Sequence, residues 1–362
     1  GYRRALQSTY TNRNRHRTIS GLMQTSGARE CHYEQVRFTE GKTIMRQLAS
    51  LLLLSVSTAL LAQPPQRPLI ALDTWSLPGY HAVDAKEAFK LPAGIEFGQI
   101  AAVTTTQGGN LLVLNRGPQP FLEFTIDGTL VRSFGDATLF SRSHGLRMDE
   151  AGNMWVTDVG KHVVYKMDKD ANVLMTLGTV GEAGEWDEAA GKHLFNQPNE
   201  TALDSKGNLY VVQGHGVGDP RVFKFDANGK FIKQWGSRGN GEGQFFAAHA
   251  IEIDATDTLY VADRENMRIE RFDADGNYLG EWKYNAMVCG LYLHDDGHFY
   301  ITSGFDGEWA KLDTDGKLLG ALGSPGMENG QFGEAHYLVL DSDDNAYIAD
   351  VINKRVQKYV KE

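Results

Sequence analysis

Beyond residue 100 the hydrophobic and polar positions of the chain repeat one pattern six times. Each copy has a short apolar stretch, a turn carrying Asp or Gly-Asn, and a β-branched and aromatic run that ends in a polar residue. The clearest copies read LRMDEAGNMWVTD (146–158), ALDSKGNLYVVQ (202–213), IEIDATDTLYVAD (251–263), LYLHDDGHFYITS (291–303) and LVLDSDDNAYIAD (338–350). The first, VTTTQGGNLLVLN (103–115), is the most diverged. A second signature follows in five of them: FTIDGTLVRSFG (124–135), KMDKDANVLMTLG (166–178), KFDANGKFIKQWG (224–236), RFDADGNYLGEW (271–282) and KLDTDGKLLGALG (311–323). Apolar alternation around Asp-Gly, Asn-Gly or Gly-Asn marks hairpins. Two hairpins in succession make a four-stranded antiparallel sheet, and six such sheets set radially make an all-β, six-bladed β-propeller.

The sixth repeat stops at RVQKYVKE (355–362), after its third strand. The segment LIALDTW (69–75) is therefore expected to supply the missing outer strand, closing the ring with an N-terminal strand and removing exposed edges. The expected organisation is a leader over 1–44, a signal peptide over 45–62, a linker with the closing strand over 63–96, and six blades over 97–362. The signal peptide rests on Met45-Arg46, the apolar run LASLLLLSVSTALL (48–61) and the break Ala62-Gln63-Pro64-Pro65. That run is short for a membrane span. The expected location is secreted or periplasmic, with no stable membrane insertion after cleavage. Residues 1–44 are basic, polar and aperiodic, as in a disordered or untranslated stretch.

Charge sharpens this division. The net charge of -10 hides nine Lys/Arg against three Glu in residues 1–62, which leaves 27 basic and 43 acidic residues beyond them. So acidic a body repels phosphate backbones, which argues against nucleic acid as a partner. The two cysteines are Cys31 and Cys289. With Cys31 in the leader, no disulfide can form within the body.

When the repeats are aligned on their first turn, one position two residues before the LRMD-type stretch reads Ala101, His144, Asn199, His249, Cys289 and His336. Histidine falls on blades two, four and six, related by rotations of about 120° around the axis. A single histidine there would pass for a polar residue in a wet channel. Three on alternate blades point to a three-His site for zinc or a similar divalent ion, with an open fourth position. The loops after the second strands share that face and carry Arg116, His215 and Arg264. An arginine fork suits a substrate carboxylate, and His215 suits a general base. Glu334 could act as an acid or orient an imidazole. Asp158, Asp263 and Asp350 recur at one strand end and read as turn-bonding scaffold. The run Gly236-Ser237-Arg238-Gly239-Asn240-Gly241-Glu242-Gly243 lacks the setting of a phosphate loop and reads as an inter-blade loop.

The strand ends VTD, VAD and IAD, with RI or RV a few residues on, resemble NHL repeats. Ala262-Asp263-Arg264-Glu265-Asn266-Met267-Arg268-Ile269, Ser143-His144-Gly145-Leu146, Trp155-Val156-Thr157-Asp158-Val159 and Asn115-Arg116-Gly117 resemble the NHL propeller of the peptidyl-α-hydroxyglycine α-amidating lyases and their bacterial relatives. The resemblance covers essentially all of 69–362. It implies that His144, His249 and His336 are zinc ligands, and that Arg116 and Arg264 match arginines tied to substrate and catalysis. His215 stands where the family has a tyrosine. The family also holds a structural calcium, whose backbone contacts match Val103 and Leu146. Tyr337 replaces the aspartate of that site and removes its one carboxylate, which disfavours calcium. The disulfides of the animal lyases are absent.

Three functions compete. The first is an exported zinc lyase that splits a peptidyl-α-hydroxyglycine, or a related small substrate, into an amide and glyoxylate, acting as a monomer. The second is a non-catalytic envelope propeller that grips a protein or small ligand. A lactonase-type hydrolase ranks third, because such propellers use carboxylate and Asn ligands around calcium.

Overall fold

The polar residues of the repeat explain its hairpins. In the computed structural model, which describes residues 77–215 and 218–362, the Asp that opens a first turn accepts backbone N–H groups from residues two and four positions on. Asp149 Oδ1 takes Ala151 N at 3.0 Å and Asn153 N at 2.8 Å. Asp204 and Asp341 bind their own loops in the same way. This side-chain mimic of a backbone turn reverses the chain wherever the pattern places Asp. In blade five His294 takes that position, its Nδ1 accepting from Asp296 N at 3.3 Å.

Six four-stranded antiparallel sheets result, each joined from the inside outward. The innermost strands are Gln99–Thr105, Ser143–Met148, Pro198–Leu203, Ala248–Ile253, Gly290–Leu293 and Ala335–Leu340. Second strands such as Met154–Asp158, Leu209–Gln213, Leu259–Asp263 and Ala346–Asp350 are buried at every position. Neighbouring blades cover both of their faces, so they read as unbroken apolar runs. The outer strand Val173–Leu177 turns largely to solvent. Among the described residues, helix is confined to Ala85–Ala88 and a 3-10 turn at Ala137–Leu139. None is long and apolar enough to cross a membrane.

The ring closes from the N-terminal side, but through a different segment from the one expected. Tyr80–Ala82 pairs with Arg355–Lys361, with Tyr80 opposite Lys361 and Ala82 opposite Tyr359. LIALDTW (69–75) lies outside the described residues, as do the expected leader and signal peptide. Three residues are too few to show periodicity, and their place is set by packing. The Tyr80 ring meets Trp309 edge-on at 5.1 Å, and Lys361 Nζ sits 4.5 Å above it. The chain then runs through Ala85–Ala88, capped by Asp84, and Phe89 packs on Phe124 at 5.0 Å in the seam between blades six and one.

Asp158, Asp263 and Asp350 are the buried ties between strand ends and loops. Asp158 accepts from the backbone N–H of Ser141, Arg142, Gly160 and Lys161 at 2.7–3.2 Å. Asp263 and Asp350 each add an arginine, with Arg268 Nε and Arg355 Nε at 3.0 Å. Replacing Asp158 by Ala orphans four donors at once. At about 1–3 kcal/mol for a buried unsatisfied group, partly relieved by water, Asp158→Ala is expected to lower stability by roughly 3 kcal/mol in urea unfolding, and Asp158→Asn by less.

Candidate functional site

The innermost strands lose register at the ring position in five blades. The irregularities lie between Ile100 and Ala102, Ser143 and Leu146, Pro198 and Glu200, Ala248 and Ala250, and Ala335 and Leu338. A bulge inserts a residue and re-aims its side chain. Ala101, His144, Asn199, His249 and His336 all sit in these bulges. Cys289 precedes its strand, with its N–H on Thr302 O at 2.8 Å. Blades touch here through backbone. A Cβ on Gly145 would lie 2.5 Å from Asn199 O, and one on Gly290 would lie 2.3 Å from His336 O.

The structure brings the three ring histidines together. Ring centroids are 4.6 Å apart for His144 and His336, 4.8 Å for His144 and His249, and 5.1 Å for His249 and His336. Each Nδ1 bonds the carbonyl of the ring residue on the next blade: His144 to Asn199 O at 2.9 Å, His249 to Cys289 O at 2.7 Å, His336 to Ala101 O at 2.6 Å. A carbonyl only accepts, so Nδ1 carries the proton and Nε2 keeps its lone pair, the tautomer of a metal-binding imidazole. His144 Nε2 is buried without a hydrogen-bond partner. Burial, then neighbouring imidazoles and arginines, hold all three rings well below the usual histidine pKa and therefore neutral.

Donor atoms within 4.8 Å of one another form two groups among the described residues: His144 with His215 and His249, and His249 with Cys289 and His336. Either group fits a borderline-soft divalent ion such as zinc; His249 is common to both, while His144 and His336 fall in different groups, so the three ring histidines do not by themselves make one. The His215 ring stands 5.0 Å from His144 and 5.4 Å from His249, inside ligand reach as well as proton-transfer reach. Burial and the charges of Arg264, Arg142 and Arg116 press its pKa to about 3.

Above the imidazoles lies a cationic rim. Arg116 donates through Nε to Ser143 O at 2.7 Å, and burial with Arg142 nearby lowers its pKa to about 10. Arg264 is tied to Glu265 at 2.5–2.9 Å. Burial pulls its pKa down, but Cys289, Glu265 and Glu334 outweigh that and the net shift is upward. Glu334 faces all three guanidiniums, yet burial keeps its pKa raised. Sequence reasoning missed Arg142. It stands two residues before His144, and no repeat partner marks it.

Beneath the imidazoles the channel is plugged. The Tyr337 ring stacks on His249 and its hydroxyl donates to His249 O at 3.0 Å. Val103, Leu146 and Tyr337 line a cavity of about 30 Å³ together with Arg147, Glu200 and Glu252. Arg147 binds Glu252 at 2.7 Å and Glu200 at 3.1 Å, and donates to Thr201 O and Ile251 O. The residues present therefore do not fit a calcium ion. Both carboxylates are engaged by a guanidinium, and a phenol adds bulk without charge.

Fold and site together define a six-bladed β-propeller with a buried axial cluster of imidazoles. Residues 200–314 match the family model DUF5128, described as a 6-bladed beta-propeller. The chain is 32% identical over 306 residues to the peptidylglycine alpha-amidating monooxygenase of Rattus norvegicus, covering 72% of this chain and 30% of that protein. It is 36% identical over 149 residues to a probable peptidyl-alpha-hydroxyglycine alpha-amidating lyase of Caenorhabditis elegans, covering 40% of each. It is 28% identical over 273 residues to NHL repeat-containing protein 3 of Homo sapiens, covering 66% of this chain and 72% of that protein. This is an NHL-type propeller that resembles the peptidyl-α-hydroxyglycine α-amidating lyases. It spans only 28% to 30% of the length of the amidating monooxygenases it matches. A streptogramin B lyase structure superposes with a TM-score of 0.56 at 14% identity, covering 78% of this chain and 98% of that one, which shows the shared fold.

Two tests bear on the plug. Arg147→Leu leaves Glu200 and Glu252 buried without their guanidinium partner and is expected to cost roughly 3 kcal/mol by urea unfolding, with Glu200→Gln and Glu252→Gln added together restoring most of it. Burial raises the Glu200 pKa to about 8, above the ordinary 4.5, against the pull of Arg147. Between those values the folded state keeps a proton that the unfolded state has lost, so stability from this group falls as pH rises. Glu200→Gln should flatten the decline in melting temperature from about pH 5 to 8.

Proposed function

We propose that this propeller is an exported, metal-dependent carbon–nitrogen lyase that releases glyoxylate from a peptidyl-α-hydroxyglycine or a similar α-hydroxy substrate. The observation that carries the reading is the set of three neutral imidazoles on alternate blades, their Nδ1 atoms tied to carbonyls, below a rim of arginines. His144, His249 and His336 would hold zinc, and a bound zinc would polarise and acidify the substrate hydroxyl. Arg116 and Arg264, with Arg142, bind and orient the substrate carboxylate. His215, weakly basic in this cationic setting, accepts the proton of an acidified hydroxyl and returns one to the departing amide nitrogen. The hydroxyl oxygen becomes the aldehyde oxygen of glyoxylate as the carbon–nitrogen bond breaks. Buried walls exclude competing water. The run 45–62 supports a secreted or periplasmic location for this chemistry.

A second reading is a non-catalytic propeller whose same face grips a ligand; NHL repeat-containing protein 3, similar over 72% of its length, names the repeat and no reaction. His144→Ala, His249→Ala and His336→Ala are each expected to lose bound metal and glyoxylate release together, measured by elemental analysis and a model α-hydroxyglycine. Full metal content without turnover on any α-hydroxyglycine would establish the binding module instead. Arg116→Ala should raise KM for the carboxylate substrate roughly ten- to a hundred-fold, the worth of one charge-assisted hydrogen bond.

A further inference from the structure

Cys289 is the ring residue of blade five and is fully buried. Its sulfur lies 3.8 Å from His249 Nδ1 and 3.9 Å from His249 Nε2. With one nitrogen each from His249 and His336, its donor atom forms a group spanning no more than 4.8 Å. A tetrahedral zinc with Zn–N near 2.0 Å and Zn–S near 2.3 Å places neighbouring N and S donors roughly 3.5 Å apart. The sulfur is almost equally far from the two nitrogens, so sharing an ion with His249 Nε2 takes a rotamer turn of Cys289 or His249 that brings the sulfur in front of that nitrogen. His144 Nε2, buried without a partner, belongs to the adjoining donor group with His215 and His249, and His249 is common to both groups.

We propose that Cys289 is a further metal ligand, so that the axial ion is held by a thiolate as well as by imidazoles. The inference rests on reading the ring histidines as a metal site. On binding, the thiol gives its proton to solvent and the sulfur forms the metal bond. A sulfur donor favours zinc, cobalt or cadmium over magnesium and calcium. A thiolate would also change the character of the site, adding a negative sulfur to the imidazoles of His249 and His336.

The test uses the full chain with Cys31→Ser, which leaves Cys289 as its one thiol, loaded with cobalt(II). The expected spectrum has a near-ultraviolet thiolate-to-cobalt charge-transfer band alongside visible ligand-field bands. Adding Cys289→Ser should abolish the first, keep the second, and weaken cobalt affinity by more than about ten-fold. Visible bands without the charge-transfer band overturn the cysteine assignment alone and leave the imidazole site standing. Failure to bind cobalt at all overturns both. Should the double variant not fold, the spectrum of the Cys31→Ser protein still decides, since only Cys289 can supply the sulfur.

Discussion

The hydrogen bonds that cross from each axial imidazole to the carbonyl of the next blade hold together both the ring and its candidate site. His144, His249 and His336 bind Asn199, Cys289 and Ala101 in this way. Asn199 Nδ2 reaches Ala248 O, Tyr337 reaches His249 O, and Thr302 Oγ1 reaches His336 O. Each bond satisfies a carbonyl at or beside the ring position, and each sets a side chain's orientation. Loss of an imidazole bond would release that ring from its tautomer.

Charge is layered along the channel. At the loop face, Arg116, Arg142 and Arg264 outnumber Glu334, which suits an anion. The imidazoles beneath are neutral, as metal ligation requires. Below Tyr337, Arg147 lies between Glu200 and Glu252, and burial raises the pKa of both carboxyls. Tyr337 insulates one layer from the other. The Arg147 guanidinium shares its small cavity with Val103 and Leu146, the residues that the lyase resemblance matches to calcium contacts.

Two residues at the axis depart from the lyase pattern, and both rings lie against His144 and His249. His215 brings an imidazole where a tyrosine stands in the family. Tyr337 replaces a carboxylate, and the ring residue Cys289 places a sulfur beside His249 and His336. Together they make the centre richer in nitrogen and sulfur and poorer in oxygen, which moves metal preference in one direction. A substrate bound at this face would still meet arginine forks, so the departures alter the reacting centre more than the grip on an anion.

The sequence by itself determined the blade count, the hairpin turns and the alternate-blade placement of histidine, because each is written in local spacing: Asp-Gly signals, period-two alternation, and one aligned ring position. Local spacing cannot express what is settled across blades. The closing strand Tyr80–Ala82 is three residues long and was placed by its fit against Trp309 and Lys361, so LIALDTW was the more visible candidate. Arg142 has no repeat partner, and Arg147 is one arginine among many until the propeller closes around Glu200 and Glu252. The nearness of the Cys289 sulfur to His249 likewise arises only when blades four and five meet. Such contacts join residues 40 to 235 positions apart, and only the closed ring of packed sheets makes them neighbours.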